Sequence, residues 1–494
     1  MLRRNRRPSA NSPTVNAAGL VPLVGMMQAE IAVLRFGLGA RPGELADAAG
    51  EPRAWLLAQV KGAAPLAVST PLAASDQIFA GLLAARDERR KMKQESAAAA
   101  TDAKVVNAVR EAYQPHYRAQ VLARAQSAAL TARPFAERLV HFWSNHFAVS
   151  ADKGVVFGLA GTLENEAIRP HLAGRFVDLL IAVEQHPAMI AFLDNQYSVG
   201  QDSMAAHFAS RRSGPELDAP KSQFGINENL AREILELHTL GVNGGYSQAD
   251  VTSFAQVITG WSIGGGKGRL AGGVPGRFYF RDNLHQPGPK VLLGKTYTEH
   301  GVRQGEAVLA DLARRPETAR FIATKLVRHF IADDPPKAAV DRVARAFLKS
   351  DGDLPRVYAA LIESPEAWET DARKFKTPED FVFSTLRALN VSPGQPEEVV
   401  RTFELLGQRQ FTPGSPAGWP DTSKSWDGSD ALMHRVLWAS RVGAKYESGV
   451  EPVDLAASSL GAYARAETLT ALRRATTSGQ AVAMLLMSPE FQRR

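Results

Sequence analysis

Apolar residues recur at helical spacing along most of the chain from about residue 30 onward, and glycine and proline lie mostly between these stretches. The pattern predicts a mainly α protein, a multi-helix globular assembly. One stretch departs from it, because a glycine-rich segment after Trp261 is followed by RFYFR at 277–281, a Pro/Gly turn and VLL at 291–293. We therefore expect one short β-hairpin, near 278–293, inserted into the helical body.

The same pattern divides the chain into three parts. Residues 1–28 are expected to be a disordered basic tail, and residues 29–370 to be the main helical body, with the hairpin insertion near 262–297. Residues 371–494 are expected to be a C-terminal helical region that packs on this body. The tail loosely resembles an export signal, although Pro22 and the long gap between its basic and apolar parts weaken that interpretation. The localisation is left open between periplasm and cytoplasm.

Composition excludes several classes of protein. The 494 residues are 45% hydrophobic and 22% charged, which is ordinary globular usage. No apolar run approaches the roughly 18 residues of a membrane span, so no transmembrane segment is expected. The net charge of +7 is small for this length and disfavours a nucleic-acid binder. With no cysteine, thiolate metal sites and cysteine nucleophiles are excluded.

Three histidines fall inside the apolar stripes of predicted helices. They are His146 in 133–147, His238 in 227–241 and His329 in 317–330. One interpretation is that each is a core histidine satisfied by a backbone carbonyl or a buried amide. The other is that two or three converge on one polar centre. We predict that His146 and His238 are buried and lie within about 10 Å of each other.

A convergent centre would contain the groups needed for acid–base chemistry. The candidate catalytic residues are Asn145, His146, Glu233, Glu236 and His238. A histidine would transfer the proton, a carboxylate would orient it, and the asparagine would hold a substrate oxygen. Further polar and aromatic residues are candidates for binding: Trp143, Asp194, Asn195, Asn227, Arg232, Trp261, His285 and Trp419.

A metal at this centre is an alternative. Imidazoles together with Glu233 or Glu236 would suit a divalent transition metal. However, no H-E-x-x-H motif occurs on these helices, and Arg232 would compete for the two carboxylates. We therefore expect no metal and no other cofactor.

Several segments resemble a bacterial family labelled domain of unknown function 1800. The most specific are LRFGLGARPGEL (34–45), FWSNHF (142–147), HPAMIAFLDN (186–195), NENLAREILELHTLGVNGGYSQADV (227–251), TGW ending at Trp261, LHQPGPKVLLG (284–294), FIATKLVRHFIADDPP (321–336) and GWPD (418–421). The resemblance implies a predominantly helical and often exported protein. It also implies a partner, since genes of the family are frequently found beside a family that resembles alkaline phosphatases.

The sequence is compatible with two functions. The first is a hydrolase or lyase-like enzyme that acts on an envelope or extracellular polymer, with a His/Glu/Asn site between helices. The alternative is a non-catalytic helical partner or escort of the alkaline-phosphatase-like protein, in which the polar clusters determine the fold or an interface. Polar residues in helix interiors favour the enzyme slightly.

Overall fold

Helices make up 61% of the computed structural model, which describes residues 23–68, 71–95, 102–212, 225–266, 271–370 and 374–494. The mainly α fold predicted from the sequence is confirmed. The helices of the first half are α1 (Leu23–Glu30), α2 (Glu44–Ala49), α3 (Pro52–Gln59), α4 (Ser75–Glu95), α5 (Asp102–Leu130), α6 (Pro134–His146), α7 (Ala160–Thr162), α8 (Arg169–His171), α9 (Phe176–Glu184), α10 (Pro187–Phe192), α11 (Met204–Arg212), α12 (Asn229–Glu233) and α13 (Gln248–Val257).

The second half continues with α14 (Val302–Arg314), α15 (Pro316–Phe330), α16 (Lys337–Lys349), α17 (Leu354–Ile362), α18 (Pro378–Ala388), α19 (Pro396–Leu405), α20 (Ser429–Lys445), α21 (Pro452–Leu460), α22 (Ala466–Arg473) and α23 (Ser478–Leu486). Within the described residues, three π-helical turns extend or join helices, at Ile31–Phe36, Leu163–Ile168 and Ile234–Thr239. Such turns recur at functional sites because the extra residue re-aims neighbouring side chains.

The turn between α12 and α13 is defined by Gly241 at its start and by Ser247 at its end. Gly241 has φ +84°, and a Cβ there would lie 2.9 Å from the ring of Phe321, so glycine is required both for the backbone conformation and for space. Ser247 accepts a hydrogen bond from the amide of Asp250, whose carboxylate accepts one from the amide of Ser247. Gly241 therefore ends the segment that contains the π-helical turn with His238, and the capping box begins α13.

Helix α6 runs through the core, and nearly all of its side chains are buried. Proline at its first position fits because that residue has no amide to leave unpaired. The buried side chains include Glu137, Arg138, His141 and His146. A helix buried on all sides must find partners for its charged groups inside the protein, because an unpaired buried charge is very unfavourable. The polar clusters described below follow from this position.

The β-structure lies where it was predicted but pairs differently. Strands β1 (Trp261–Ile263) and β2 (Phe278–Phe280) form one antiparallel pair, and β3 (Lys290–Leu292) and β4 (Lys295–Tyr297) form another. The expectation that 278–280 pairs with 291–293 is wrong. Strand β2 instead pairs with β1, which precedes it in the chain, and glycines of the intervening segment let the backbones approach closely. Strand β3 pairs with β4, which follows it.

One continuous cluster of buried apolar residues extends from Ile31 to Phe491 and so includes both the predicted body and the C-terminal region. Residues 1–22 of the predicted tail lie outside the described residues, and 23–28 belong to α1. In the described part of the chain, no helix combines the length and apolar character needed to cross a membrane.

Candidate functional site

His146 and His238 form a buried pair, as the sequence predicted. Their ring centroids are 6.2 Å apart, and the side chain of His146 donates a hydrogen bond from Nε2 to the backbone oxygen of His238 at 3.2 Å. The two residues are 1% and 0% exposed. Burial, assisted by the charge of Lys325, holds the pKa of His146 well below its usual value, so this ring is neutral. The pair is sealed from solvent.

The partner of His238 is Glu184, which the sequence analysis missed. Its Oε1 lies 2.8 Å from His238 Nδ1, and both side chains are buried. Glu184 is the last residue of α9 and lies one turn after Leu180 on the buried stripe of that helix. This position in the sequence could have indicated Glu184, because a carboxylate that continues the apolar stripe of a helix needs a partner inside the protein.

The two predicted glutamates do not complete this centre. Glu233 is half-buried, and burial raises the pKa of its carboxyl group, which His238 lowers in part. Glu236 accepts a hydrogen bond from the Tyr246 hydroxyl at 3.3 Å. Arg232 pairs with Glu228 at 3.1 Å rather than with Glu236, so the expected competition for Glu236 is not seen.

Asn145 binds backbone instead of presenting a free amide. Its Nδ2 donates to the carbonyl of Trp419 at 3.0 Å, and its Oδ1 accepts from the amide of Trp419 at 2.7 Å. Gly418 has φ +84°, and a Cβ there would collide with the Asn145 carbonyl. Asn145 therefore holds the GWPD loop against α6, which leaves little of its amide for a substrate oxygen.

His329 belongs to a separate polar cluster on the far side of Phe142. The Phe142 ring is 5.4 Å from the ring of His329 and 6.3 Å from that of His146. His329 Nδ1 lies 3.0 Å from Asp421 Oδ2. Burial lowers the pKa of His329 to about 4, although Asp421 opposes the shift. The three histidines therefore do not converge on one centre.

Lys325 connects the two polar clusters electrostatically. It lies one turn before His329 on α15, and burial lowers the pKa of its ammonium group to about 8, with Asp421 opposing the shift. Its charge also lowers the pKa of His146. A lysine in this setting discourages protonation of His146.

Most of the other predicted binding residues are buried and form hydrogen bonds with neighbouring core groups. Trp143 Nε1 donates to the Tyr358 hydroxyl at 2.7 Å, and Trp261 is fully buried. Asn195 donates to the carbonyls of Ile258 and Trp261, both at 3.0 Å. These hydrogen bonds hold neighbouring segments together. Two polar atoms of the three residues, Asn195 Oδ1 and Trp261 Nε1, have no hydrogen-bond partner, and both are buried.

The remaining three predicted binding residues, Asn227, Asp194 and His285, also have partners within the protein. Asn227 donates to the carbonyl of Leu193 at 3.0 Å and accepts from the amide of Asn229 at 2.9 Å. Asp194 pairs with Lys153 at 2.6 Å. His285 Nδ1 donates to the carbonyl of Thr259 at 3.0 Å. Their polarity is explained by turns and helix ends.

A chain of buried ion pairs, which the sequence analysis missed, runs from α6 to α18. Arg169 binds Glu137 with two hydrogen bonds, at 2.8 and 2.7 Å, and reaches Glu164 at 2.7 Å. Arg124 continues it, with contacts of 2.8 Å to Glu164 and 2.8 Å to Glu379. We call these five residues the ion network. Its last two members, Arg124 and Glu379, reach an open cavity.

This cavity, the Trp419 cavity, lies beside the ion network and has about 40 Å³ of water-accessible space. Its apolar and aromatic lining includes Phe411 and Trp419. Its polar lining consists of Arg124, Ser144, Asn145, Glu379, Gln408 and Gln410. Of the predicted site residues it contains Asn145 and Trp419. Aromatic and apolar groups beside a few convergent polar groups are the usual composition of a ligand site.

The expected absence of a transition metal stays a prediction. Among the described residues, no three histidines, aspartates or glutamates are grouped so that they could hold a metal ion. We expect elemental analysis of protein prepared without an affinity tag or chelator to show no stoichiometric zinc, iron or manganese. One tightly held metal per chain, lost in a folded His238→Ala variant, would contradict this expectation and favour metal-assisted hydrolysis.

Comparison with known proteins places the chain in a family. Residues 31–493 match the model of a family described as protein of unknown function (DUF1800). No curated protein and no solved structure matches the chain. The match spans nearly the whole chain and contains every segment on which the resemblance was based. The chain therefore belongs to the DUF1800 family.

Proposed function

We propose that this chain is a hydrolase-like enzyme acting on a hydroxyl-rich envelope or extracellular polymer, and that its substrate site is the Trp419 cavity. The observation that carries the proposal is the lining of this cavity, which combines a carboxylate, an arginine and amides with the aromatic rings of Phe411 and Trp419. Aromatic rings pack against the apolar faces of sugar rings, while amides and carboxylates bind hydroxyl groups. The sealed histidine pair has a structural role in this proposal.

Glu379 is the proposed proton acceptor. It is the one carboxylate among the residues that line the cavity. Arg124 contacts it at 2.8 Å and is itself anchored by Glu164 at 2.8 Å. An ionised carboxylate can take a proton from a water molecule or a substrate hydroxyl, and such general-base assistance is worth about 10²–10⁴-fold in rate.

The test measures the release of reducing ends from a neutral β-glucan, alginate and peptidoglycan. We expect hydrolysis of at least one, a Glu379→Gln variant slowed at least about 100-fold in kcat, and a Trp419→Ala variant with a raised KM. Glu363, which is exposed on the surface, provides the control Glu363→Gln with unchanged kinetics. Absence of hydrolysis of all three polymers, or full activity in Glu379→Gln, would contradict the proposal.

A second candidate, the non-catalytic partner of an alkaline-phosphatase-like protein, is favoured by one surface. Helix α20 exposes Met433, Val436 and Leu437, whose i, i+3, i+4 spacing forms one apolar stripe. Exposed apolar stripes are typical of surfaces that bind other proteins. A stable complex with that protein, lost in a Leu437→Glu variant, together with no hydrolysis, would favour this second function.

A further inference from the structure

A second cavity, with about 210 Å³ of water-accessible space, opens between α5 and α19. Residues 110, 114, 117 and 118 of α5 are one or two helical turns apart and share a face, as do residues 397, 400, 401 and 404 of α19. Arg409 and Phe157 complete the wall. We call it the arginine cavity because four arginines line it: Arg110, Arg118, Arg401 and Arg409.

The arginines differ in how far they are neutralised. Arg118 pairs with Glu397 at 3.0 Å, and Arg409 pairs with Asp152. Arg110 and Arg401 have no carboxylate partner among the described residues. The carboxylate of Glu404 also lines the cavity, so the unpaired charges leave a small positive balance.

Guanidinium groups suit one chemical class of ligand. Each has five N–H donors in a planar fork, so Arg118 and Arg409 retain donors beyond those used by their carboxylates. Arginine forks match the geometry of phosphate and other oxyanions, which they bind with two parallel hydrogen bonds. Four guanidinium groups around one opening therefore favour an oxyanion over a neutral ligand.

The rest of the wall indicates that the oxyanion is attached to a larger skeleton. The rings of Tyr117 and Phe157 stack with centroids 4.6 Å apart, and the Arg110 guanidinium lies 5.7 Å from the Phe157 ring centroid. The Tyr117 hydroxyl donates to the carbonyl of Gln410 at 2.9 Å, which fixes this aromatic wall. About 210 Å³ of water-accessible space is more than one phosphate ion fills, so the cavity can also take an attached group.

We propose that the arginine cavity binds a phosphate or sulfate ester, with the oxyanion held by Arg110 and Arg401 and the carbon skeleton packed on Tyr117 and Phe157. This site is separate from the Trp419 cavity, and the inference does not depend on the proposed hydrolase function. The ligand can be a free metabolite or the terminal unit of a glycan, because both present the same ester.

The test is isothermal titration calorimetry of the full chain with glucose 6-phosphate, glucose 6-sulfate, inorganic phosphate, inorganic sulfate and glucose. We expect both esters to bind more tightly than the inorganic ions, no detectable binding of glucose, and weaker ester binding at higher salt. Preference for one ester would identify the ligand as phosphorylated or sulfated.

Two exposed arginines allow a matched comparison. Arg401→Ala is expected to lower the affinity for the preferred ester at least tenfold, and Arg401→Glu to abolish binding. Arg356, exposed on α17 outside the cavity, provides the control Arg356→Ala with unchanged affinity. Failure of the unmodified chain to bind either ester, or an affinity within twofold of normal in both Arg110→Ala and Arg401→Ala, would overturn the proposal.

Discussion

Replacing Arg169 with methionine is expected to lower the free energy of unfolding by about 3–5 kcal/mol, because it leaves two buried carboxylates without their shared cation. Burial alone would raise the pKa of Glu137, but Arg169 outweighs it and holds that pKa well below its usual range. Without Arg169, Glu137 and Glu164 must either stay ionised without their main partner or take up protons. Urea denaturation at pH 7.5 measures the loss.

A second substitution separates this cause from lost packing. Glu137→Gln removes one of the stranded charges, so the double variant Arg169→Met/Glu137→Gln is expected to be more stable than Arg169→Met alone. Exposed Arg356 again provides the control, since Arg356→Ala should change stability by no more than about 0.5 kcal/mol. A loss under about 1 kcal/mol in Arg169→Met would show that the ion network contributes little.

The histidine pair shows what helical periodicity can predict. The spacing of apolar residues fixes which side of a helix faces the core, so the burial of His146 and His238 follows from residues within two turns of each. Their proximity was a hypothesis about two helices, and the structure supports it at 6.2 Å between ring centroids. Their chemistry was not predictable in the same way, because it depends on Glu184 and on whether solvent reaches them.

The features that the sequence analysis missed depend on partners far apart in the chain. Arg169 meets Glu137 from 32 residues away, and Asn145 meets the backbone of Trp419 from 274 residues away. Local spacing contains no information about such pairs, so Asn145 was interpreted as a free amide. The strand pairing failed for a related reason, since the nearest turn was assumed to close the hairpin while the glycine-rich segment allowed an earlier partner.

The lining of the Trp419 cavity could be predicted only in part from the sequence. Trp419 is a candidate binding residue because of its residue type, and it does line this cavity. Glu379 gave no comparable signal, because at the start of α18 an acidic residue is already explained by the helix dipole. Its position became informative once Arg124 was seen to connect it to the ion network.

Acidification from pH 7.5 to 4.5 is expected to destabilise the folded chain progressively, because its buried histidines resist protonation. Burial lowers the pKa of His329 to about 4, with Asp421 opposing the shift and Arg494 and Arg138 adding to it. Burial also lowers the pKa of His146, His186 and His285. In the unfolded chain these groups titrate near 6.5, so the unfolded state binds more protons below that pH.

The direction of each pKa shift determines whether stability falls or rises on acidification, and over which pH range. A histidine whose pKa is lowered in the folded state contributes stability that is fully present above about pH 6.5 and is lost as the pH falls toward its folded pKa. Each additional proton bound by the unfolded state steepens the loss by about 1.4 kcal/mol per pH unit. Glu30 and Glu233 act in the opposite sense, since burial raises the pKa of each. We expect the histidines to prevail because four of them, His146, His186, His285 and His329, oppose these two glutamates.

His329→Asn isolates one contribution to this loss. The asparagine Nδ2 can replace histidine Nδ1 as the donor to Asp421, and an amide does not titrate. In urea denaturation between pH 7.5 and 4.5, the variant is expected to lose stability less steeply than the unmodified chain, by up to one proton's worth of slope. His300→Asn, at an exposed position, should leave the slope unchanged. Equal slopes in His329→Asn and the unmodified chain would show that His329 takes up its proton as readily when folded as when unfolded.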